Sequence, residues 1–237
     1  MTKELSVIIP AYNEEALLPE TVASVVEYLT GKDYRFEVII VNDGSTDRTK
    51  EKTLDLLARH AQAKLIQFET NRGKGQAVKA GIAQARHALC LFMDADNATS
   101  IREWDKFEPY FSRGFKVVVA SRKLPDSRIV HPQPALRRVL GSFYRVACQQ
   151  LFRLGISDFN CGFKAYETSL AKKIYAGVQL QGWAFDTEVF CLLQKEHVPV
   201  AEVPVSWEHR DKPSHLAPIR AGFETLGSLW RLKKIYG

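Results

Sequence analysis

Ala88-Leu-Cys-Leu-Phe-Met93-Asp-Ala-Asp96 decides the fold. An apolar run this short, bounded by polar residues, reads as a buried strand rather than a helix, and it empties into two carboxylates one residue apart. The same pattern recurs upstream. Leu5-Ser-Val-Ile-Ile9 runs into Pro10-Ala-Tyr12-Asn13-Glu14-Glu15, and Phe36-Glu-Val-Ile-Ile-Val41 into Asn42-Asp43-Gly44-Ser45-Thr46-Asp47. Lys64 to Phe68 leads to Asn71-Arg72-Gly73-Lys74-Gly75. Between these runs, Glu15 to Leu29, Thr46 to His60 and Lys74 to Arg86 have helical patterning. Strands alternating with helices of this length predict right-handed crossovers and an α/β fold, a Rossmann-like, mostly parallel sheet flanked by helices on both faces. Ligands of such sheets bind beyond the carboxyl ends of the strands, so four polar strand ends predict one shared crevice.

The second half differs in texture. Lys116 to Ala120 reads as a further strand and Ser121 to Pro134 as a long loop with three prolines. Ala135 to Leu154 reads as a basic amphipathic helix, and a second helix is expected near Ala184 to Lys195. Val200 to Val205 reads as a strand and Leu216 to Ile235 as a terminal helix. With no internal repeat or linker, the expectation is one domain over 1–237, divided into halves at 1–122 and 123–237, the second carrying the amphipathic helices.

Composition narrows the function classes. The chain has 237 residues, 46% of them hydrophobic and 25% charged, which excludes a disordered tail, a collagen-like repeat and a small disulfide-stapled scaffold. No apolar run reaches the roughly 18 to 20 residues of a membrane-spanning helix. Met1-Thr2-Lys3-Glu4 leads directly into a strand without the apolar core of a signal peptide, so a cytoplasmic location is expected. The four cysteines, Cys90, Cys148, Cys161 and Cys191, form no Cys-x-x-Cys pair and read as buried thiols. The histidines lack zinc-site spacing. The net charge of +6 is compatible with nucleic acid, but no nucleic-acid recognition motif accompanies it.

Asp94-x-Asp96 after a buried strand carries the chemistry. Two carboxylates in a tight turn repel each other unless a cation lies beside them, and oxygen ligands of this type suit Mg²⁺ or Mn²⁺ shared with substrate phosphates. The competing reading is an Asp-rich turn capping a helix near Ser100. Asp43 in Val41-Asn-Asp-Gly-Ser-Thr46 has the same two readings. Asn71-Arg-Gly-Lys-Gly75 resembles a phosphate-binding loop with Lys74 as the cation, although it lacks P-loop spacing and also fits a glycine-rich helix start.

Taken in order, Ile9-Pro-Ala-Tyr-Asn-Glu14, Val41-Asn-Asp-Gly-Ser-Thr-Asp47, Asn71-x-Gly-Lys-Gly75, Met93-Asp-Ala-Asp96 and Ala120-Ser-Arg122 resemble the family 2 glycosyltransferases. The resemblance implies the GT-A nucleotide-diphospho-sugar transferase fold and an inverting, metal-dependent transfer. Asp158-Phe-Asn-Cys-Gly-Phe-Lys-Ala-Tyr166, Gly182-Trp-Ala-Phe-Asp-Thr-Glu188 and Glu202-Val-Pro-Val-Ser-Trp207 extend it to the polyprenyl-phosphate sugar synthases, closest to the dolichyl-phosphate β-glucosyltransferases. The implied partners are a nucleotide-diphospho-sugar, UDP-glucose or GDP-mannose, and a polyprenyl or dolichyl phosphate.

The resemblance sets Pro10, Tyr12 and Glu14 against base and ribose, with Val41 and Asp43 on the other side. It lays Asp94 and Ala95 along ribose and diphosphate and makes Asp96 the main metal ligand. Relatives often carry a polar ligand two residues later; Ala98 stands there, which leaves Asn97 as the nearest amide. Arg122 matches an arginine that meets the donor diphosphate or acceptor phosphate, with Arg138 or Arg137 as the acceptor-phosphate partner. The alternative for Arg137 and Arg138 is a solvated helix face. Where relatives read Ser-Lys-Leu, this chain reads Ser214-His215-Leu216, so His215, helped by Arg210 or Lys212, takes the lysine's place.

Arg137, Arg138, Arg145 and Arg153 interleave with Leu136, Val139, Leu140, Phe143, Leu151 and Phe152. The terminal segment pairs Phe223, Leu226, Leu229 and Trp230 with Arg220, Arg231, Lys233 and Lys234. Basic amphipathic helices of this kind suit peripheral attachment to an anionic membrane surface, and equally suit core-facing helices with charged outer faces. Transfer to a hydroxyl, with Asp186 as base, is the competing enzymatic reading, and a helix-start cap is the plainer role for Asp186. A non-catalytic nucleotide-sugar sensor is a third reading, disfavoured by the presence of Asp43, Asp94 and Asp96.

Overall fold

A computed structural model describes residues 3–132, 134–182, 184–210 and 218–236, with side chains at all of these except 137 and 218–226. His215, Lys212 and Trp183, and the side chains of Arg137, Arg220, Phe223 and Leu226, lie outside the described residues.

Strand β1 (Glu4–Ala11) is buried along all but its first residue, so it reads as a continuous apolar run rather than an alternating one, as a strand covered on both faces must. It lies between β2 (Arg35–Asp43) and β4 (Leu89–Met93), parallel to both, and β3 (Ala63–Phe68) continues the sheet beyond β2. Connecting helices α1 (Leu18–Gly31) and α2 (Thr49–Arg59) cover one face, α3 (Lys74–Gln84) the other. Chain order reverses between β1 and β4, so their carboxyl ends frame the crevice.

Two helix starts fall three residues later than their periodicity predicts, for one reason. The Glu14 N–H donates to Thr49 Oγ1 at 2.7 Å and the Glu15 N–H to Asp47 Oδ2 at 3.2 Å, so the acidic pair after β1 braces the β2–α2 turn instead of opening α1. Asp47 Oδ1 also accepts the Thr49 N–H at 2.9 Å, which moves the start of α2 to Thr49.

Beyond β4 the sheet order is β4, β7 (Phe163–Glu167), β5 (Val117–Ser121), β8 (Val200–Pro204). Strand β7 is antiparallel to both neighbours, the one reversal in a sheet otherwise parallel. Its side chains alternate: Phe163 and Ala165 join the layer under α1 and α4 (Trp104–Ser112), and Tyr166 faces α6 (Thr168–Ala176) and α7 (Phe185–Lys195). Sequence patterning misses this strand because Lys164 occupies a central, fully buried position in it. Lys164 Nζ is paired with Asp186 and donates to the Phe159 carbonyl at 2.8 Å, which makes the burial tolerable. The stretch expected as a long loop contains β6 (Arg128–His131), which pairs in parallel with β9 (Ser206–Glu208) as a separate ribbon. Helix α5 (Ala135–Phe152) follows it, and α8 (Pro218–Tyr236) ends the described chain. No helix among the described residues is long and apolar enough to cross a membrane.

The far edge of the sheet is held by Glu37, which accepts from Ser6 Oγ and from the Arg86 N–H, both at 2.7 Å, and pairs with Lys64 at 2.5 Å. Burial alone would raise its pKa, but Lys64, Ser6 and the Arg86 N–H outweigh that and hold it below the ordinary carboxylate value. A depressed folded pKa stabilises the protein above the unfolded value near 4.3, and this is lost as pH falls through the lower folded value. Glu37→Ala is expected to lower urea-unfolding stability by roughly 2–3 kcal/mol at pH 7, since Ser6 and Arg86 lose a buried acceptor, with the difference shrinking in acid.

Strand β7 also delivers a backbone to the crevice. The Asp94 N–H donates to the Gly162 carbonyl at 3.0 Å, and a Cβ on residue 162 would overlap the Asp94 carboxylate. Gly162→Ala is therefore expected to fold, by circular dichroism, while losing about 100-fold in kcat/KM through displacement of Asp94.

Candidate active site

The Asp94–Asn97 turn is fixed from three sides. The carbonyl of Gly162, just before β7, takes the Asp94 N–H, Thr21 Oγ1 of α1 donates to the Ala95 carbonyl at 2.7 Å, and Asp96 Oδ1 accepts the Ala98 N–H at 3.0 Å. Asn97 follows in the left-handed region, with φ of 52°. Its Oδ1 is buried without a hydrogen-bond partner. Asp96 thus closes a local turn and does not cap the helical turn near Ser100, which Ser100 Oγ itself caps by accepting the Arg102 N–H at 3.3 Å, while Asp94 directs its carboxylate to Lys74, 2.7 Å from Nζ. Ala95 is buried, so only its backbone is offered along the turn.

Lys74 opens α3 and lies over the Phe92 ring at 5.2 Å. Burial opposes its charge, but Asp94, Asp186 and Asp96 outweigh burial and raise its pKa, keeping the ammonium intact. The glycines on either side serve geometry rather than anion binding. Gly73 has φ of 89°, and the Gly75 N–H is spent on the Gln181 carbonyl at 3.0 Å. The loop therefore presents a lysine, not a nest of free N–H groups.

Asp43, at the end of β2, is 3% exposed, and its two oxygens accept the Arg72 N–H at 2.7 Å and the Gly73 N–H at 2.9 Å. Burial pushes its pKa up against the pull of those N–H groups and Arg72. One carboxylate thus ties two strand ends together, leaving its remaining lone pairs for a ligand. Pro10 and Val41 are register partners and buried. Tyr12 is exposed and Glu14 half-buried at the same edge.

Arg122, just past β5, is gripped by Asp158: Nε donates to Oδ2 at 2.7 Å, Nη2 to Oδ1 at 2.8 Å, and the Arg122 N–H to Oδ2 at 3.0 Å. Asp158 is held in turn through Ser157, whose N–H and Oγ donate to Glu202 at 3.0 and 2.6 Å. Burial works against the Asp158 charge, but Arg122 outweighs it and keeps the pKa low. The fork of Arg122 is thereby already engaged, so it faces the crevice with its remaining N–H groups and its charge.

Beside Arg122 opens a cavity of about 350 Å³. Arg138 and Arg145 of α5 and Lys123 bring cations to it; Ile129, Pro132, Tyr144 and Trp207 bring apolar surface. Two polar atoms of its lining, Arg145 Nε and Asn160 Oδ1, are buried without hydrogen-bond partners. Arg138 thus lies at the cavity, while Arg210 does not join it: its guanidinium pairs with Glu20 of α1 at 3.2 Å.

Local sequence patterns assign no site role to Gly162, Asp158, Thr21 or Arg145. Arg145 has a usable signal, since it lies seven residues after Arg138 on the same helical face. The others act through contacts 36 to 74 residues distant, which no local pattern records. Asp186, the candidate base of the hydroxyl-acceptor reading, is 3% exposed and ion-paired with Lys164; burial raises its pKa against the pull of Lys164 and Lys74.

Among the described residues no three His, Cys, Asp or Glu side chains gather into a metal cluster. The oxygens suited to a hard cation are those of Asp94 and Asp96 and the unpartnered Asn97 Oδ1. That set matches a divalent ion that takes its other ligands from phosphate and water.

Residues 6–175 match the profile of glycosyl transferase family 2. The chain is 34% identical to a dolichyl-phosphate beta-glucosyltransferase of Dictyostelium discoideum, covering 97% of this chain and 77% of that protein. It is 33% identical to one of Trichomonas vaginalis, covering 86% and 65%, and 31% identical to one of Homo sapiens, covering 87% and 68%. These relatives are longer than this chain, which spans about two thirds to three quarters of their length. Among solved structures, mannosyl-3-phosphoglycerate synthase from Rubrobacter xylanophilus superimposes with a TM-score of 0.73 at 16% identity, over 98% of this chain and 74% of that one. Glucosyl-3-phosphoglycerate synthase from Mycobacterium tuberculosis, in complex with Mn²⁺, UDP-glucose and phosphoglyceric acid, does so with a TM-score of 0.69 at 15% identity, over 98% and 80%. These likenesses establish the GT-A fold. With its strand-end carboxylates and this match over most of its length, the chain belongs to glycosyl transferase family 2 and is a glycosyltransferase.

Proposed function

We propose that this enzyme transfers glucose from a nucleotide-diphospho-glucose, UDP-glucose ahead of other donors, to a polyprenyl phosphate such as dolichyl phosphate. The observation that carries this reading is the cavity beside Arg122, where Arg138, Arg145 and Lys123 share one lining with Ile129, Pro132 and Trp207. A phosphate on an isoprenoid tail needs that combination, and a sugar hydroxyl does not. The relatives' names support both glucose and the lipid phosphate.

A phosphate monoester has its second pKa near 6 and is largely dianionic at neutral pH, so it attacks the anomeric carbon without a strong base. The new bond joins a phosphate oxygen to that carbon as the bond to the diphosphate breaks, and the electron pair leaves with the nucleoside diphosphate. Attack opposite the leaving group inverts the anomeric configuration. Lys74 and the residual donors of Arg122 lie where negative charge accumulates, and Arg138 and Arg145 hold the acceptor phosphate against its repulsion from the donor. A Mg²⁺ or Mn²⁺ ion on Asp94, Asp96 and Asn97 would supply further charge neutralisation at the leaving diphosphate. Pairing of Asp186 with Lys164 leaves it poorly placed as a base and weighs against the hydroxyl-acceptor alternative.

Facing away from the cavity, α5 exposes Leu136, Val139, Leu140, Phe143 and Val146, with Phe143 71% exposed. Trp230 of α8 is also exposed beside Lys234, which lies 3.6 Å from its ring centre. Not every apolar residue of these helices serves a surface: Phe152 and Leu229 are buried in the core. The exposed stripe is the face we assign to the membrane that holds the acceptor.

Radiolabelled UDP-glucose with polyprenyl phosphate and Mg²⁺ or Mn²⁺ is expected to give an acid-labile lipid product, abolished by EDTA. Asp96→Asn is expected to lower kcat by about 100-fold or more, equivalent to ~3 kcal/mol of lost charge stabilisation. Full turnover of that variant in EDTA would remove the metal from the mechanism, and preferred labelling from GDP-mannose would replace the sugar. Arg138→Ala is expected to raise the acceptor KM by about tenfold with little change for the donor, as loss of one charge-assisted phosphate contact implies. Phe143→Glu should abolish co-sedimentation with anionic liposomes at low salt; undiminished binding would place the membrane face elsewhere.

A further inference from the structure

Glu188 is fully buried on α7, and no step of the proposed transfer uses it. Its carboxylate is nonetheless well served. The Gln179 N–H donates to both oxygens at 3.1 Å, the Leu180 N–H to Oε2 at 2.8 Å, and the Tyr236 hydroxyl to Oε1 at 3.3 Å. A fully buried carboxylate is costly to desolvate and is tolerated here because these donors answer it, and in accepting from them it fixes the backbone that carries them.

The backbone it grips is the wall behind the lysine loop. Immediately after the two bonded N–H groups, the Gln181 carbonyl accepts from Gly75. A Cβ at Gly75 would come within 2.7 Å of both the Leu180 carbonyl and Phe185, and one at Gly73 would overlap the Gln181 carbonyl. Packing that close transmits any shift of 179–181 directly to the loop. On the preceding side, Lys79 Nζ of α3 donates to the Ala176 and Val178 carbonyls at 3.0 and 2.9 Å. The segment is therefore fastened to α3 at both ends and braced from behind by one carboxylate. Lys74, between the two glycines, is the residue that this frame aims at Asp94.

We propose that Glu188 is a positioning residue for the donor: by locking 179–181 against Gly73–Gly75 it holds Lys74 over the strand-end carboxylates, and so sets the affinity for the donor's diphosphate. The Tyr236 contact brings the end of α8 onto the same carboxylate. This inference rests on the donor site described above and not on the identity of the acceptor.

The test is binding of UDP with Mg²⁺ by calorimetry, GDP in parallel, together with amide hydrogen exchange over 73–77 and donor and acceptor KM. Glu188→Ala is expected to weaken nucleotide binding by about tenfold and to speed exchange over 73–77, with acceptor KM within about twofold. Glu188→Gln keeps one accepting oxygen and is expected to stay within about threefold of the parent chain. Glu188→Asp, which retains the charge but loses one methylene of reach, should resemble the alanine variant, and it carries the test if Glu188→Ala does not fold. Unchanged nucleotide affinity in a folded Ala or Asp variant, or a Gln variant as impaired as Ala, would overturn the proposal. Because nucleotide binding needs no acceptor, a parent chain that binds UDP but leaves polyprenyl phosphate unmodified would remove the acceptor assignment and leave this one standing.

Discussion

Carboxylates gathered at the end of a buried sheet repel one another, and the site depends on how that repulsion is met. Asp94, Asp158 and Asp186 are answered by Lys74, Arg122 and Lys164 respectively. Each cation comes from a different element from its partner, so the electrostatic balance exists only when α3, β4, β7 and α7 and the ends of β5 are assembled together. Low dielectric strengthens each pair and makes any unmatched member costly. Beside these pairs, Asp96 and Asn97 bring to the same turn the oxygen chemistry that suits a divalent cation.

This balance explains why the sheet contains one reversed strand. Antiparallel β7 brings Lys164 and, through the segment before it, Gly162 and Asp158 to the same edge that the parallel strands build. Gly162 offers a carbonyl and no side chain to Asp94, Lys164 neutralises Asp186, and Asp158 engages the fork of Arg122. The donor half of the crevice is thus supported by residues that follow it in the chain, Gly162 behind Asp94 and Asp158 behind Arg122. It is not a self-contained unit that a second half merely decorates.

The same geometry divides labour between the two phosphates of the proposed reaction. Lys74 lies with the strand-end carboxylates, while Arg138 and Arg145 line a separate cavity, with Arg122 between them on a rigid acidic support. An arginine whose fork is occupied contributes field and a small number of directed N–H groups, which suits a position shared by two anions. The apolar stripe lies on the face of α5 opposite the cavity, so one helix brings cations to the cavity and apolar side chains to the outer surface.

Much of this is legible in the order of the amino acids. Runs such as Phe36–Val41 and Leu89–Met93 are almost wholly apolar because both sheet faces are covered, so they announce a parallel sheet from local pattern alone. Their polar ends place Asp43, Lys74, Asp94 and Asp96 at one edge, because topology forces strand ends together. The late start of α1 is not legible, since it follows from hydrogen bonds between Glu14 or Glu15 and residues over 30 positions away. Nor is β7, whose buried lysine breaks the apolar pattern and is tolerated only because Asp186 lies against it. Local patterning thus settles the class of fold and which residue types meet at its edge. Which charge pairs with which, and how the turn oxygens are presented to a ligand, is decided only by tertiary contacts, because desolvated electrostatics depend on distances in space and not on separation along the chain.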